Sequence, residues 1–98
     1  MPELTPSEKW AQAKADYGVA IADAKATKAS ELAAAKTTYK AAVQQNKSLP
    51  KAEKKAANSA AKTEYKAAKS TTNTSYKSAT SAAKAAKKVA KAEYNATK

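Results

Sequence analysis

Written in lines of eleven from Trp10, the first half of the sequence falls into columns. The first column reads Trp10, Ile21, Leu32, Val43, and the fifth reads Lys14, Lys25, Lys36, Lys47. The fourth holds Ala13, Ala24, Ala35 and then Asn46, and the eighth holds Tyr17 and Tyr39 with Lys28 between them. Eleven residues make nearly three turns of an α-helix, so each column is a line of side chains along one helix face with very little drift. A chain built this way is expected to be helical and to bury one face.

After residue 50 the count is looser. Tyr65, Tyr76 and Tyr94 stand eleven and eighteen residues apart, both near whole numbers of turns. Ala61, Ala68, Ala79, Ala83, Ala86 and Ala90 fall on the same side. The predicted packing seam is therefore Trp10, Tyr17, Ile21, Leu32, Tyr39, Val43, Tyr65, Tyr76 and Tyr94. An aromatic and alanine stripe at helical spacing reads as core, in preference to a ligand or stacking site.

Local signals mark the ends. Thr5-Pro6-Ser7-Glu8 has the form of a capping box, with Thr5 as N-cap, Pro6 at the first helical position and Glu8 reaching back. Pro50 lacks an N–H and disfavours helical geometry at Leu49, so Gln44–Pro50 is the strong breaker. Ser48 is placed to cap a second helix that carries Pro50 in its first turn. The polar segment 70–75, Ser-Thr-Thr-Asn-Thr-Ser, is a weaker candidate break. The prediction is one all-α unit, a long antiparallel helical hairpin: helix 6–46, turn 47–50, helix 50–97. A three-helix bundle broken at 70–75, and an extended rod within an oligomeric coiled coil, are the alternatives.

Composition narrows the function. The 98 residues include 28 Ala and 19 Lys, no Arg, Cys, His or Phe, and a single glycine, Gly18. Without Cys there is no disulfide framework, thiolate nucleophile or Cys-based metal site, and without His the usual general base is missing. One glycine cannot make a phosphate-cradling loop. The eight carboxylates would need a partly dry pocket to be tuned for acid–base work, and alanine-faced helices offer little of one. No catalysis, cofactor, metal or small-molecule substrate is expected. The start, 1–6, lacks a basic segment followed by an apolar run, and no stretch is apolar enough to span a bilayer. The expected location is the cytoplasm or nucleoid, or the inside of a virion or other assembled particle. Alanine is a feeble lipid anchor, so a membrane partner is not expected. Leu, Ile and Val total seven, too few for a conventional core. An isolated hairpin should be marginal against its backbone entropy, which predicts self-association or another partner.

The charges are sorted. Lys14–Asp16, Asp23–Lys25, Lys51–Glu53, Lys62–Glu64 and Lys91–Glu93 all stand two residues apart, on nearly opposite sides of a helix. Lys28–Glu31 alone has a pairing distance. Projected at about 100° per residue from Tyr65, Lys51, Lys55, Lys62, Lys66, Lys69, Lys77, Lys84, Lys87, Lys88, Lys91 and Lys98 fall between about 40° and 140°, with Lys54 the outlier. Lys14, Lys25, Lys36, Lys40 and Lys47 share one flank of the first arm, with Asp16, Asp23 and Glu31 on the other. In an antiparallel pair like flanks meet, so the Lys rows would converge on one face and repel unless an anion lies there. A parallel pair of chains would instead set Lys rows against acid rows.

The run from Ser81 to Ala92, rich in Lys and Ala, resembles linker-histone tails and the Ala/Lys-rich nucleoid proteins of bacteria. That resemblance implies non-specific DNA condensation. The eleven-residue repeat, closest at Ala11–Ala15, is similar to late embryogenesis abundant proteins, which implies desiccation protection and disorder when hydrated. Alanine-rich antifreeze helices also use elevens, and Thr27–Thr38 and Thr63–Thr74 share that spacing.

The leading expectation is a non-catalytic polyanion-binding protein, with DNA the foremost ligand. Lys14, Lys25, Lys36, Lys40, Lys47, Lys51, Lys55, Lys62, Lys66, Lys69, Lys77, Lys84, Lys87, Lys88 and Lys91 would meet the phosphates. Lys acts as a point charge that releases counterions without reading bases, and Arg, the usual guanine reader, is missing. A structural assembly subunit with no nucleic-acid role is the second expectation, and a hydration-stress protectant the third.

Overall fold

The computed structural model describes residues 3–98; Met1 and Pro2 lie outside them. Two helices, α1 (Pro6–Asn46) and α2 (Lys51–Ala96), form an antiparallel hairpin, with no strand among the described residues. Alanine and lysine supply the intrinsic helicity. Thr5 and Glu8 close the capping box as the sequence suggests: the Thr5 N–H donates to Glu8 Oε1 at 2.9 Å and the Glu8 N–H donates to Thr5 Oγ1 at 3.1 Å. At the other end of α2 the Thr97 hydroxyl donates to the Tyr94 carbonyl at 2.7 Å.

The turn differs in detail from the expectation. Ser48 does not cap α2; its hydroxyl donates back to the Gln45 carbonyl at 3.2 Å and so serves the end of α1. Pro50 lies just outside α2, and its carbonyl accepts the Lys54 N–H at 2.7 Å. That is the N-cap place, where a missing N–H costs nothing. The segment 70–75 is helical throughout, so the three-helix alternative is not the one adopted. Thr72 within that segment is 5% exposed and donates its hydroxyl to Glu31 Oε2 at 3.0 Å. A weak local propensity is overridden by a tertiary bond.

The chain divides into two compact units: residues up to Ala26 with Tyr76–Lys98, and Thr27–Ser75. In the Thr27–Ser75 unit the half-buried positions of α1 are Lys28, Leu32, Ala35, Tyr39, Ala42, Val43 and Asn46. Those of α2 are Lys54, Ala57, Asn58, Tyr65 and Ala68, joined by the buried Ala61 and Thr72. Tyr39 meets Tyr65 with ring centroids 5.3 Å apart, and Asn46 Nδ2 donates to Asn58 Oδ1 at 3.0 Å beside the turn. In the other unit Trp10, Ala13, Tyr17, Ile21 and Ala24 of α1, and Tyr76, Thr80, Ala83, Lys87, Ala90 and Tyr94 of α2, are half-buried. Trp10 stacks on Tyr94, centroids 6.2 Å apart.

These inward sets show that the count of eleven does not loosen after residue 50. The frame from Trp10, carried on unchanged, places Lys54, Tyr65, Tyr76 and Lys87 in the first column, Ala57, Ala68, Ala79 and Ala90 in the fourth, and Ala61, Thr72, Ala83 and Tyr94 in the eighth. All but Ala79 are half-buried or buried. Tyr94 thus belongs to a different column from Tyr65 and Tyr76, which explains its interval of eighteen. Ala79 and Ala86, expected on the seam side, are exposed, and Thr80 turns inward beside Ala79. Among the described residues only Ala61 and Thr72 are buried, because the fourth column is almost all alanine and only two helices cover each other.

Candidate polyanion-binding face

With the inner columns known, the place of every charge around each helix follows. In an eleven-residue, three-turn repeat, successive residues advance by about 98°, so the second, fifth and ninth columns share one arc of about 65° beside the seam. Lys36, Lys40, Lys47, Lys51, Lys55, Lys62, Lys66 and Lys69 occupy those columns in the Thr27–Ser75 unit, all exposed. In the other unit Lys14, Lys25, Lys77, Lys84, Lys88 and Lys91 do so, also exposed. The acids keep to the other side. Glu31, Glu53 and Glu64 stand in the eleventh column, Asp16 and Glu93 in the seventh, Asp23 in the third and Glu8 in the tenth.

The antiparallel pairing joins like flanks. A groove of about 260 Å³ in the Thr27–Ser75 unit is lined by Thr38 and Ala42 of α1 and Glu64 of α2, from the seventh and eleventh columns, beside Tyr39 and Tyr65. A smaller one of about 130 Å³ in the other unit is lined by Lys9, Trp10, Glu93, Tyr94 and Thr97. Since the acid-bearing flanks of both helices border the same grooves, their Lys-bearing flanks meet on the opposite side of each unit. Within each unit the resulting face has two rows of lysines, one from each helix. Lys9 is the exception, an eleventh-column lysine beside Glu93.

Two of these lysines, and Lys98 just beyond α2, lean on aromatic rings at the seam. Lys14 Nζ lies 5.3 Å from the Trp10 ring centroid and Lys69 Nζ 5.2 Å from that of Tyr65. Lys98 Nζ lies 4.6 Å from Tyr94. Each such contact contributes about 0.5–1 kcal/mol at an exposed site and leaves the charge in water.

Lys87 stands apart from the other candidate lysines. It occupies the first column, is half-buried, and holds its Nζ 4.4 Å from the Tyr17 ring centroid. Its ammonium is therefore a packing group of the seam, not one of the open flank. Lys28 and Lys54 also take inner columns and are half-buried. The signal that finds Lys54 and Lys87 is the frame itself: counted from Trp10, both land in the column of Tyr65 and Tyr76. The nine seam residues Trp10, Tyr17, Ile21, Leu32, Tyr39, Val43, Tyr65, Tyr76 and Tyr94 are all half-buried.

The Glu8 carboxyl belongs to the capping box at the start of α1. The Thr5 backbone N–H, and after it the Thr5 hydroxyl, hold it below the ordinary carboxylate range. Among the described residues no cluster of three or more carboxylates could hold a metal ion, and no helix is long and apolar enough to cross a membrane. No protein-family model, curated protein or solved structure matches this chain.

Proposed function

We propose that this chain binds polyanions, DNA foremost, without reading base sequence, through the lysine-bearing flank of its two helices. The observation that supports this is the sorting itself: lysines from both helices in the second, fifth and ninth columns, the helical acids in the third, seventh, tenth and eleventh. A net charge of +11 would keep a helical protein soluble in any arrangement. Gathering like charges on one face is electrostatically costly, and a line of phosphates reverses the sign of that cost. Lysine heads on flexible stems follow a phosphate backbone as point charges. The six aromatic rings lie in the seam, where they serve packing and are poorly placed for base stacking. A nucleoid, or a particle holding a packaged genome, is the location that fits this reading.

The test is electrophoretic mobility of duplex DNA of unrelated sequences across a salt series. Binding should be sequence-independent, and log K should fall linearly with log salt at about 0.9 per phosphate neutralised. If no complex forms at about 50 mM salt, the proposal fails.

A second reading, a structural assembly subunit, draws on a different observation. Only Ala61 and Thr72 are buried among the described residues, so the seam of an isolated hairpin stays half open to water. The mobility-shift series separates the two: a polyanion binder retards DNA with a steep salt dependence, and an assembly subunit with no nucleic-acid role leaves it free at about 50 mM salt.

A further inference from the structure

The turn is the least expected place for the eleven-residue count to survive. A hairpin needs no fixed phase between its arms, because any loop that lets them dock will serve. Yet Val43 and Lys54, eleven residues apart, are both half-buried first-column residues on opposite sides of the turn. Asn46 and Ala57 stand in the same relation in the fourth column. Such continuity is what one unbroken helix through 47–50 would require, since its inner columns would then stay on one face.

The turn is also cheap to convert. It contains no glycine, and no described residue has a positive φ. Many helices end on a left-handed residue, which would have to leave its well before the helix could continue. Here the backbone of 47–50 changes without such a step. The turn is held by the Lys47 N–H on the Gln44 carbonyl at 3.3 Å, the Leu49 N–H on the Asn46 carbonyl at 3.1 Å, and the Ser48 hydroxyl. All three reach back into α1, as helical bonds also do. Pro50 is the remaining obstacle, because inside a helix it removes one hydrogen bond and crowds the carbonyl four residues earlier.

We infer that this chain takes a second copy of itself as partner by opening the 47–50 turn and exchanging arms. Residues 47–50 become helical, α1 runs into α2, and the inner face of each arm docks on the other chain. The occupant is specified by identity: a second copy offers the same columns in the same antiparallel sense. Near the turn, Asn46 of one chain meets Asn58 of the other as it now meets its own, and Tyr39 meets Tyr65 likewise. Pro50 sets the balance toward the hairpin in dilute solution. This inference is independent of polyanion binding.

The experiment uses the full chain with Asn46→Cys and Asn58→Cys, and a short bismaleimide that joins the two thiols. A hairpin cross-links within itself and runs as a monomer on a denaturing gel. Exchanged arms cross-link between chains and run as a covalent dimer. The double-cysteine chain should give monomer when dilute and a dimer fraction that grows with concentration. Adding Pro50→Ala removes an interior proline from each of two helices and should raise the association constant by about four powers of ten. Circular dichroism confirms that each variant remains helical. If Pro50→Ala sediments as a monomer throughout, or as a dimer whose cross-links are all internal, arm exchange is wrong. Should the cysteine pair disturb folding, two differently labelled batches of the Pro50→Ala chain, mixed and refolded, must give hybrid dimers, and their failure to form overturns the inference equally.

Discussion

Trp10, near the start of α1, stacks on Tyr94, near the end of α2, with their planes 17° apart. Lys14 lies against the first ring and Lys98 against the second. The contact ties together the two helix termini most prone to fraying, and it involves the only tryptophan. A double-mutant cycle of Trp10→Ala and Tyr94→Ala should therefore give a coupling of about 0.5–1.5 kcal/mol in urea unfolding. Tyr94→Ala alone should also alter Trp10 fluorescence in the folded protein. Additive effects with unchanged emission would mean the rings do not stack in solution.

Gly18 sits within α1, where an added Cβ would meet no heavy atom within 4 Å. It spends backbone entropy without any local need for it. Gly18→Ala should stabilise the protein by about 1 kcal/mol, read as a higher denaturation midpoint. No change would indicate that this part of α1 is frayed in solution.

The Glu31 carboxylate is what satisfies the buried Thr72 hydroxyl. Glu31→Ala should cost about 1 kcal/mol, while Glu31→Gln, which keeps an acceptor, should cost much less. In a Thr72→Val background Glu31→Ala should be close to neutral, since no buried hydroxyl is then left unpaired. Equal costs in the two backgrounds would contradict the bond.

Lys87 and its exposed neighbours should behave oppositely. Lys87→Gln removes the ammonium over Tyr17 and should cost about 0.5–1 kcal/mol in stability with little effect on DNA affinity. Lys84→Gln and Lys88→Gln should leave stability unchanged and each lower the salt slope of DNA binding by about 1. A reversed pattern would place Lys87 on the binding face.

The capping box gives a pH signature. The Glu8 carboxyl is held below its unfolded value by the Thr5 N–H and hydroxyl. Its contribution is fully present above the unfolded carboxylate pKa, and it disappears as pH falls through the lower folded value. Helicity at the start of α1, followed by circular dichroism, should drop on acidification over that window. Glu8→Gln, which can still accept the Thr5 N–H, should flatten the drop.

Much of the hairpin is legible without coordinates, because its determinants are local. Alanine content, the Thr5–Glu8 box and the Pro50 breaker act within a few residues, and the columns from Trp10 to Val43 depend only on helical pitch. The same arithmetic sorts lysines from acids around each helix. What the tertiary structure decided is everything that depends on the opposite helix. It kept 70–75 helical by giving Thr72 a partner in Glu31, turned Ser48 back onto α1, and laid the opposite helix over the columns that hold Lys28, Lys54 and Lys87. Periodicity specifies the direction in which a side chain points. Whether that direction holds water or a neighbouring ring is set by the other arm, so lysine, polar by composition, becomes a seam residue where Tyr17 lies across from it.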